Sequence, residues 1–178
     1  SSIYLQMKKS KVSFIFSLII LAGFTSCSQP MNSGYKIHWM DFESAVAASQ
    51  KQPKKMFIDV YTDWCGWCKK MDASTFMDDS VAAYINANYY PVKFNAESKD
   101  TIRFFDQVFV FVPDYKSHEL AISLLNRQMG YPSYVFLDEK FASIKVQQGY
   151  MPVETLMPLL HYYAKDAYKT KTFEEFTK

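Results

Sequence analysis

The sequence predicts an α/β fold in which a central mixed β-sheet is flanked by helices. The clearest strand signal is the apolar run Met56–Tyr61, whose length and composition are typical of a strand buried on both faces. Stretches with helical periodicity alternate with such strands in the order βαβα and then ββα. The chain has 178 residues, 49% of them hydrophobic, so one domain can bury a core without disulfide bridges.

The first half of the chain begins with a helix that has clear end signals. Asp41 is a favourable N-cap, and Pro53 cannot continue a helix. Asp78 begins a later helix in the same way. The lysine-rich piece 51–55 predicts a solvated loop. In order, the predicted elements are a strand at 36–40, a helix at 42–50, a strand at 56–61, helices at 65–73 and 80–88, and a strand at 89–95.

The segment 99–117 interrupts this alternation. Thr101–Phe105 and Val108–Val112 are rich in β-branched and aromatic residues, which predicts a β-hairpin that turns at Asp106 and Gln107. Neither turn residue is a glycine or an asparagine, so the turn signal is weak. Two interpretations stay open, a lid or partner-docking element near the functional site and an elaboration of the sheet edge.

The remainder of the chain predicts a second group of regular elements. An antiparallel strand pair is indicated by alternating residues on either side of 138–140, and a long apolar stripe indicates a C-terminal helix. The last residues carry only a weak pattern and predict a loosely docked tail. The predicted elements are a helix at 118–128, strands at 133–138 and 143–148, a helix at 152–167 and the tail at 172–178.

A Cys-x-x-Cys motif, Cys65 and Cys68, directly follows the central strand and begins a helix. A helix N-terminus stabilises a thiolate, which is the reactive form of cysteine in thiol–disulfide exchange. The alternative is half of a zinc site, which needs four ligands. The chain has 3 Cys and 3 His in total, and no histidine pair has zinc-ligand spacing. The motif therefore favours redox chemistry, and we expect no metal.

Several further positions around this motif resemble the thioredoxin superfamily. Asp59 stands six residues before Cys65, where that family has a buried acid, and Trp64 directly precedes the first cysteine. Lys93 stands in the next strand, where the family has a lysine beside that acid. Gly130-Tyr131-Pro132 resembles the family's cis-proline loop. The likeness spans residues 37–169 and implies a thioredoxin-like fold with an inserted segment before the proline loop.

The chain also departs from the general cytosolic members of the superfamily. Its two cysteines enclose Gly66-Trp67, and the span from Asn95 to Pro132 is longer than the usual crossover. Trp-Cys-Gly-Trp-Cys-Lys is most similar to exported bacterial thioredoxin-like proteins. The dipeptide leaves the redox potential, and so the direction of electron flow, undetermined.

The resemblance implies a set of residue roles. Cys65 would be the nucleophile and Cys68 the resolving thiol, while buried Asp59 would take a proton from Cys68. Lys93 and Lys69 would tune these groups. A cis Pro132 would hold the Tyr131 backbone toward Cys65 for pairing with an extended substrate. The substrate surface would be formed by Trp64, Gly66, Trp67 and Tyr131.

These roles imply a thiol–disulfide oxidoreductase that acts on protein disulfides, in the reducing or isomerising direction, with no cofactor besides the cysteine pair. A reductant in an oxidising compartment needs a membrane electron donor. The alternative is a non-catalytic partner-binding module with a structural Cys65–Cys68 disulfide. The chain has 20 basic and 18 acidic residues, a balance that argues against nucleic acid as a partner.

The N-terminal region predicts export. Residues 1–6 precede the predicted start at Met7, and residues 7–27 have the basic and apolar regions of a signal peptide. Cys27 follows small residues, as in bacterial lipoprotein signals, so we expect lipidation there, with ordinary cleavage as the alternative. Residues 28–36 would form a linker and 37–178 the thioredoxin-like domain. This organisation predicts a periplasmic, membrane-anchored protein.

Overall fold

A computed structural model describes residues 34–178 of the protein. The predicted signal peptide with Cys27, the residues before it and most of the predicted linker lie outside these residues. No helix among the described residues is long and apolar enough to cross a membrane. The strands are β1 (Met56–Tyr61), β2 (Tyr90–Asn95), β3 (Ile102–Phe104), β4 (Gln107–Phe109), β5 (Phe111–Val112), β6 (Ser117–His118), β7 (Ser133–Leu137) and β8 (Ser143–Gln148).

The predicted central mixed sheet is confirmed. It has four strands in the order β2-β1-β7-β8, with β1 and β2 parallel and both other pairs antiparallel. The buried apolar run therefore forms an inner strand, as its composition predicts. The helices are α1 (Phe42–Lys51), α2 (Gly66–Ala73), α3 (Asp79–Asn88), α4 (Glu119–Leu124), α5 (Val153–Ala164) and α6 (Phe173–Thr177).

Helices cover both faces of the sheet. Successive side chains of β1 point to opposite faces, so Phe57 and Ile58 belong to different core clusters. The Phe57 cluster includes buried residues of α2, α3 and α5, whereas the Ile58 cluster includes those of α1 and α4. Asp59 shares the orientation of Phe57, which places it on the face that α2 covers.

The inserted segment contains the predicted hairpin in a shorter form. β3 pairs with β4, and the turn is formed by Phe105 and Asp106, with a φ of 53° at Phe105. The predicted turn at Asp106 and Gln107 is therefore wrong by one residue, because Gln107 already pairs with Phe104. The predicted second strand, 108–112, is not continuous. Val110 leaves the ladder because its N–H donates to the side chain of Glu119, and its carbonyl accepts from the Glu119 N–H. β5 then pairs with β6 to form a second two-stranded ribbon.

Two predictions near the N-terminus of the domain are wrong. The segment 36–40 is not a strand, and only Met40 forms a bridge, with Val92. Its backbone groups bond instead to the Asn86 side chain, which accepts from the His38 N–H and donates to the Lys36 carbonyl. The loop 51–55 is not wholly solvated, because Lys55 is buried.

Two predictions in the second half also need correction. The helix predicted at 118–128 is only α4, since His118 caps it and Asn126 and Arg127 adopt positive φ angles. The tail is a docked helix, α6, which begins with a capping box formed by Thr172 and Glu175. The aromatic rings of α6 pack against Tyr162.

Candidate active site

Cys65 and Cys68 lie at the N-terminus of α2 and form a disulfide. A tight turn links β1 to this helix, and the Cys65 N–H donates to the Thr62 carbonyl at 3.2 Å. Cys65 is the N-cap residue, and its Sγ accepts the Cys68 backbone N–H at 3.1 Å. The sulfur thus takes the place of the oxygen in an ordinary N-cap side chain.

This position suits a thiolate. The first N–H groups of a helix have no intrahelical partner, and the helix dipole is positive at this end. Both effects favour negative charge on the Cys65 sulfur when the disulfide is reduced. The two cysteine residues are 4% and 3% exposed, so an attacking group has only a narrow approach to the sulfurs.

Asp59 is the buried acid of the site, with 1% of its surface exposed. Its Oδ2 accepts from Lys93 Nζ at 3.0 Å, whereas its buried Oδ1 has no hydrogen-bond partner among residues 34–178. Burial raises the pKa of Asp59 to about 6, and the charge of Lys93 opposes this rise only in part. A carboxyl group with this pKa can both take and release a proton near neutral pH.

Lys93 links the buried acid to the dithiol helix. Besides Asp59, its Nζ binds the carboxylate of Asp72 on α2. Asp72 lies four residues after Cys68 and therefore on the same side of the helix. The sequence prediction missed Asp72, although this spacing after the second cysteine is a signal that could have found it.

Trp64 forms one side of the rim around the disulfide and is 66% exposed. Its Nε1–H donates to Glu97 at 3.0 Å. Its ring meets the edge of Tyr131, with 5.8 Å between centroids. The predicted substrate-surface residues Trp64 and Tyr131 are therefore in contact, although they are far apart in sequence.

Trp67 forms the other side of the rim and is 57% exposed. Its ring packs against Tyr150 with centroids 5.6 Å apart, and Lys70 Nζ lies within 5 Å of both ring centroids. Trp67 therefore lies at the surface and not in the core. Gly66 lies exposed between the cysteines, and a Cβ there would meet no atom within 4 Å.

The loop before β7 contains the expected cis bond between Tyr131 and Pro132. Pro132 is buried, its carbonyl accepts from the Gly149 N–H, and Ser133 Oγ donates to the Gly130 carbonyl at 2.6 Å. Ser133 is in register with Val60, so the loop stands at the carboxyl end of β1, beside the turn that leads to Cys65.

Lys69 is exposed, one residue after Cys68. Within residues 34–178, no three side chains of His, Cys, Asp or Glu come together in a group that could hold a metal ion.

A model of one protein family matches residues 26–166. It is named Thioredox_DsbH and described as "Protein of unknown function, DUF255". A curated relative, the thiol:disulfide interchange protein DsbD of Pseudoalteromonas atlantica (strain T6c / ATCC BAA-1087), is 39% identical over 61 residues. That stretch is 34% of this chain and only 10% of the relative's length.

Solved structures share the fold at low sequence identity. A DsbH oxidoreductase has a TM-score of 0.56 and 15% identity, with 78% of this chain and 92% of that chain covered. A thioredoxin from Thermus thermophilus has a TM-score of 0.54 and 15% identity, with 72% and 87% covered. The expected thioredoxin-like fold is thereby confirmed. Because the family model spans most of the sequence, the chain belongs to the Thioredox_DsbH family of thioredoxin-fold thiol–disulfide proteins, and it carries the Cys-x-x-Cys pair at Cys65 and Cys68.

Proposed function

We propose that the protein is a thiol–disulfide oxidoreductase that reduces or isomerises protein disulfides in the cell envelope. The observation that carries the proposal is the Cys65 sulfur acting as the cap of α2, where it accepts the Cys68 N–H. The same geometry stabilises the thiolate that attack requires. Asp59, buried on the face that α2 covers, supports the proposal as a proton acceptor.

In the reducing direction, the Cys65 thiolate attacks one sulfur of a substrate disulfide. The substrate S–S bond breaks, a mixed disulfide forms, and the first substrate sulfur leaves as a thiolate. Cys68 then loses its proton and attacks the Cys65 sulfur. The second substrate sulfur leaves, and two electrons have passed from the cysteine pair to the substrate. Isomerisation follows when a substrate thiol, and not Cys68, resolves the mixed disulfide.

Asp59 is the proposed acceptor of the Cys68 proton. Its Oδ1 has no partner in the described part of the chain, so lone pairs remain available on that oxygen. Because its pKa is about 6, the carboxyl group is mostly ionised above that pH and can act as a base. We assign Lys93 the task of limiting the rise of this pKa, and Lys69 a weaker influence on Cys65 through its charge.

The aromatic rim is the proposed contact surface for the substrate. Trp64 and Tyr131 stand on one side of the cysteines and Trp67 on the other, with Gly66 open between them. Exposed aromatic side chains of this kind give apolar contact area with few lost rotamers. The backbone beside Pro132 would pair with an extended substrate segment in the manner of an added strand.

Export and anchoring are a separate part of the proposal. They rest on the signal-peptide pattern at 7–27 and on lipidation of Cys27. A protein anchored in this way would be recharged by a membrane electron donor. The chain covers a tenth of the relative named as a thiol:disulfide interchange protein, so that activity supports the proposal only through the shared domain. Membrane fractionation of wild type and Cys27→Ser tests this part, since only the wild type should sediment with membranes.

One observation favours the second candidate function, a partner-binding module with a structural disulfide. The Cys65 and Cys68 residues are almost entirely buried, as inert disulfides commonly are. The two candidates differ in whether the pair exchanges with external thiols at equilibrium.

The deciding experiment is a redox titration of the Cys65–Cys68 pair in a Cys27→Ser background, against glutathione and dithiothreitol. A reduction potential of about −270 mV supports a reductase, and one of about −120 to −180 mV supports an oxidase or isomerase. A pair that shows no reversible couple supports the binding module. Cys68→Ser should accumulate mixed disulfides with substrate proteins, whereas Cys65→Ser, the matched control, should accumulate none.

A further inference from the structure

Tyr134 is a fully buried tyrosine beside the proposed proton acceptor. It lies in β7 directly opposite Asp59 in the register of β1 and β7, so both side chains leave the sheet on the same face. Its ring is stacked on Phe57, with centroids 5.7 Å apart, and meets Phe76 edge to face at 5.9 Å. These contacts fix the place of the hydroxyl group.

The hydroxyl of Tyr134 and the Oδ1 of Asp59 share an unusual property. Both are buried polar atoms without a hydrogen-bond partner among residues 34–178. Buried polar atoms in native proteins are nearly always paired, with protein groups or with enclosed water. The two groups also interact electrostatically, since burial and then the charge of Asp59 raise the pKa of the Tyr134 phenol.

Packing alone does not account for the hydroxyl. Phenylalanine would fill the same space between Phe57 and Phe76 without burying a polar atom. Lys93 already binds one oxygen of Asp59 at 3.0 Å, and the other oxygen is the one that stays without a partner. A donor to Oδ1 would leave both oxygens of the Asp59 carboxylate hydrogen-bonded.

We propose that Tyr134 is a positioning residue for Asp59, and that its hydroxyl donates to Oδ1 through one enclosed water molecule. Such a water would have the Tyr134 hydroxyl and the Asp59 Oδ1 as its two polar partners, the number that an enclosed water needs at least. Donation to the carboxylate stabilises its ionised form and works against the effect of burial. The inference rests on the proposed function, in which Asp59 receives the proton of Cys68.

The test is the titration of the Asp59 carboxyl carbon by NMR in the full-length, reduced protein and in Tyr134→Phe. We expect the Asp59 pKa to rise in Y134F by about half a pH unit or more, because a hydrogen bond to the ionised form is lost. Tyr89→Phe is the matched control. Tyr89 is buried in the same cluster, but its hydroxyl donates to the Leu160 carbonyl, and its removal should leave the Asp59 pKa unchanged.

An unchanged Asp59 pKa in Y134F, or an equal shift in Y89F, would overturn the inference. A second measurement does not depend on the folding of Y134F. In the wild type, the Tyr134 Cζ resonance should titrate with the same midpoint as Asp59, and this step should vanish in Asp59→Asn. If the wild-type protein shows no thiol exchange, the proposed function is wrong, but both NMR results can still be interpreted.

Discussion

Two buried charge clusters of this domain involve β1, and they are built differently. Just before the strand, Lys55 Nζ lies 2.6 Å from Glu139 and 2.9 Å from Asp166, and its side chain is 4% exposed. Burial alone would lower the pKa of Lys55, but the hydrogen bonds to both carboxylates outweigh it and raise that pKa. Within the strand, Asp59 has one cation for two oxygens, and burial raises its pKa.

The difference separates two kinds of cluster. The structural cluster consists of Lys55, Glu139 and Asp166. The chemical cluster consists of Asp59, Lys93 and Asp72. The charge of Lys55 is stabilised by its partners, so the folded state favours the ionised form. The charge of Asp59 is only partly compensated, so the folded state favours the neutral form at a cost in stability. A group that gains and loses a proton must not be held too firmly in either state, and the single cation beside Asp59 is consistent with that requirement.

Removing the cation of the structural cluster should have the largest effect on stability. In Lys55→Met, the carboxylates of Glu139 and Asp166 lose their common partner. We expect a loss of about 2–4 kcal/mol in the free energy of unfolding, toward the lower end because both acids are partly exposed. Urea unfolding at pH 7 measures this loss. Lys51→Met, at the exposed end of α1, should change the free energy by under about 0.5 kcal/mol.

Neutralising Asp59, the buried acid of the chemical cluster, should raise the free energy of unfolding, whereas Lys55→Met should lower it. The pKa of Asp59 rises from 3.8 to about 6 on folding, so the stability it contributes is fully present below pH 3.8 and is lost as the pH rises through about 6. Asp59→Asn does not titrate and should therefore gain roughly 1–3 kcal/mol at pH 8, with no gain below pH 4. Its exchange rate should fall at the same time.

Urea unfolding of the oxidised protein at pH 8 and at pH 4 checks this prediction. Asp63→Asn is the control, because Asp63 is an exposed acid four residues away. A variant D59N that is less stable than the wild type at pH 8 would contradict the assignment of a raised pKa.

Replacing Lys93, the cation of the chemical cluster, should alter the pH dependence of thiol exchange more than the stability of the protein. The charge of Lys93 lowers the pKa of Asp59, so in Lys93→Met that pKa should rise above about 6. The pH of half-maximal exchange should move upward accordingly, while the free energy of unfolding at pH 7 changes by about 1 kcal/mol or less. Stopped-flow reduction of a disulfide probe between pH 5 and 9 measures the profile. A downward movement would contradict the pairing.

Neutralising Asp72 should have the smallest effect. Its charge raises the pKa of Asp59, so Asp72→Asn should move the pH profile slightly downward, opposite to Lys93→Met. Asp72 is exposed, and we expect the free energy of unfolding to change by under about 0.5 kcal/mol. The same stopped-flow measurement applies, and an upward movement of the profile would show that Asp72 acts by some other route.

Much of the fold could be predicted because its signals are local. β1 is a short apolar run, α1 and α3 begin with aspartate caps, and β7 and β8 follow one another around a short turn. The segment 36–40 misled the prediction because its backbone partners are on the Asn86 side chain, far away in sequence. Patterns within one window cannot show such a partner.

The residues of the candidate site also divide into those with a local sequence signal and those without one. The dithiol at the helix start could be predicted from the motif, and the pairing of Lys93 with Asp59 from the resemblance to the thioredoxin superfamily. Buried Lys55 could not, because its partners lie 84 and 111 residues further along the chain and only the completed fold brings them together. Tyr134 has no local signal either, since any large apolar residue satisfies the pattern of β7.

The inserted segment has a further consequence for engineering. The His118 N–H donates to the Ala96 carbonyl at 2.7 Å, and the His118 ring lies 2.9 Å from the Asp100 carbonyl. Residues 97–117 therefore begin and end at nearly one point, just after β2. A loop closed in this way can be shortened, lengthened or exchanged for another at small entropic cost, because closure entropy changes slowly with length. The exposed turn at Phe105 is thus a graft position, where foreign sequence can be inserted while buried Ile102 and the contact of Glu97 with Trp64 are left intact.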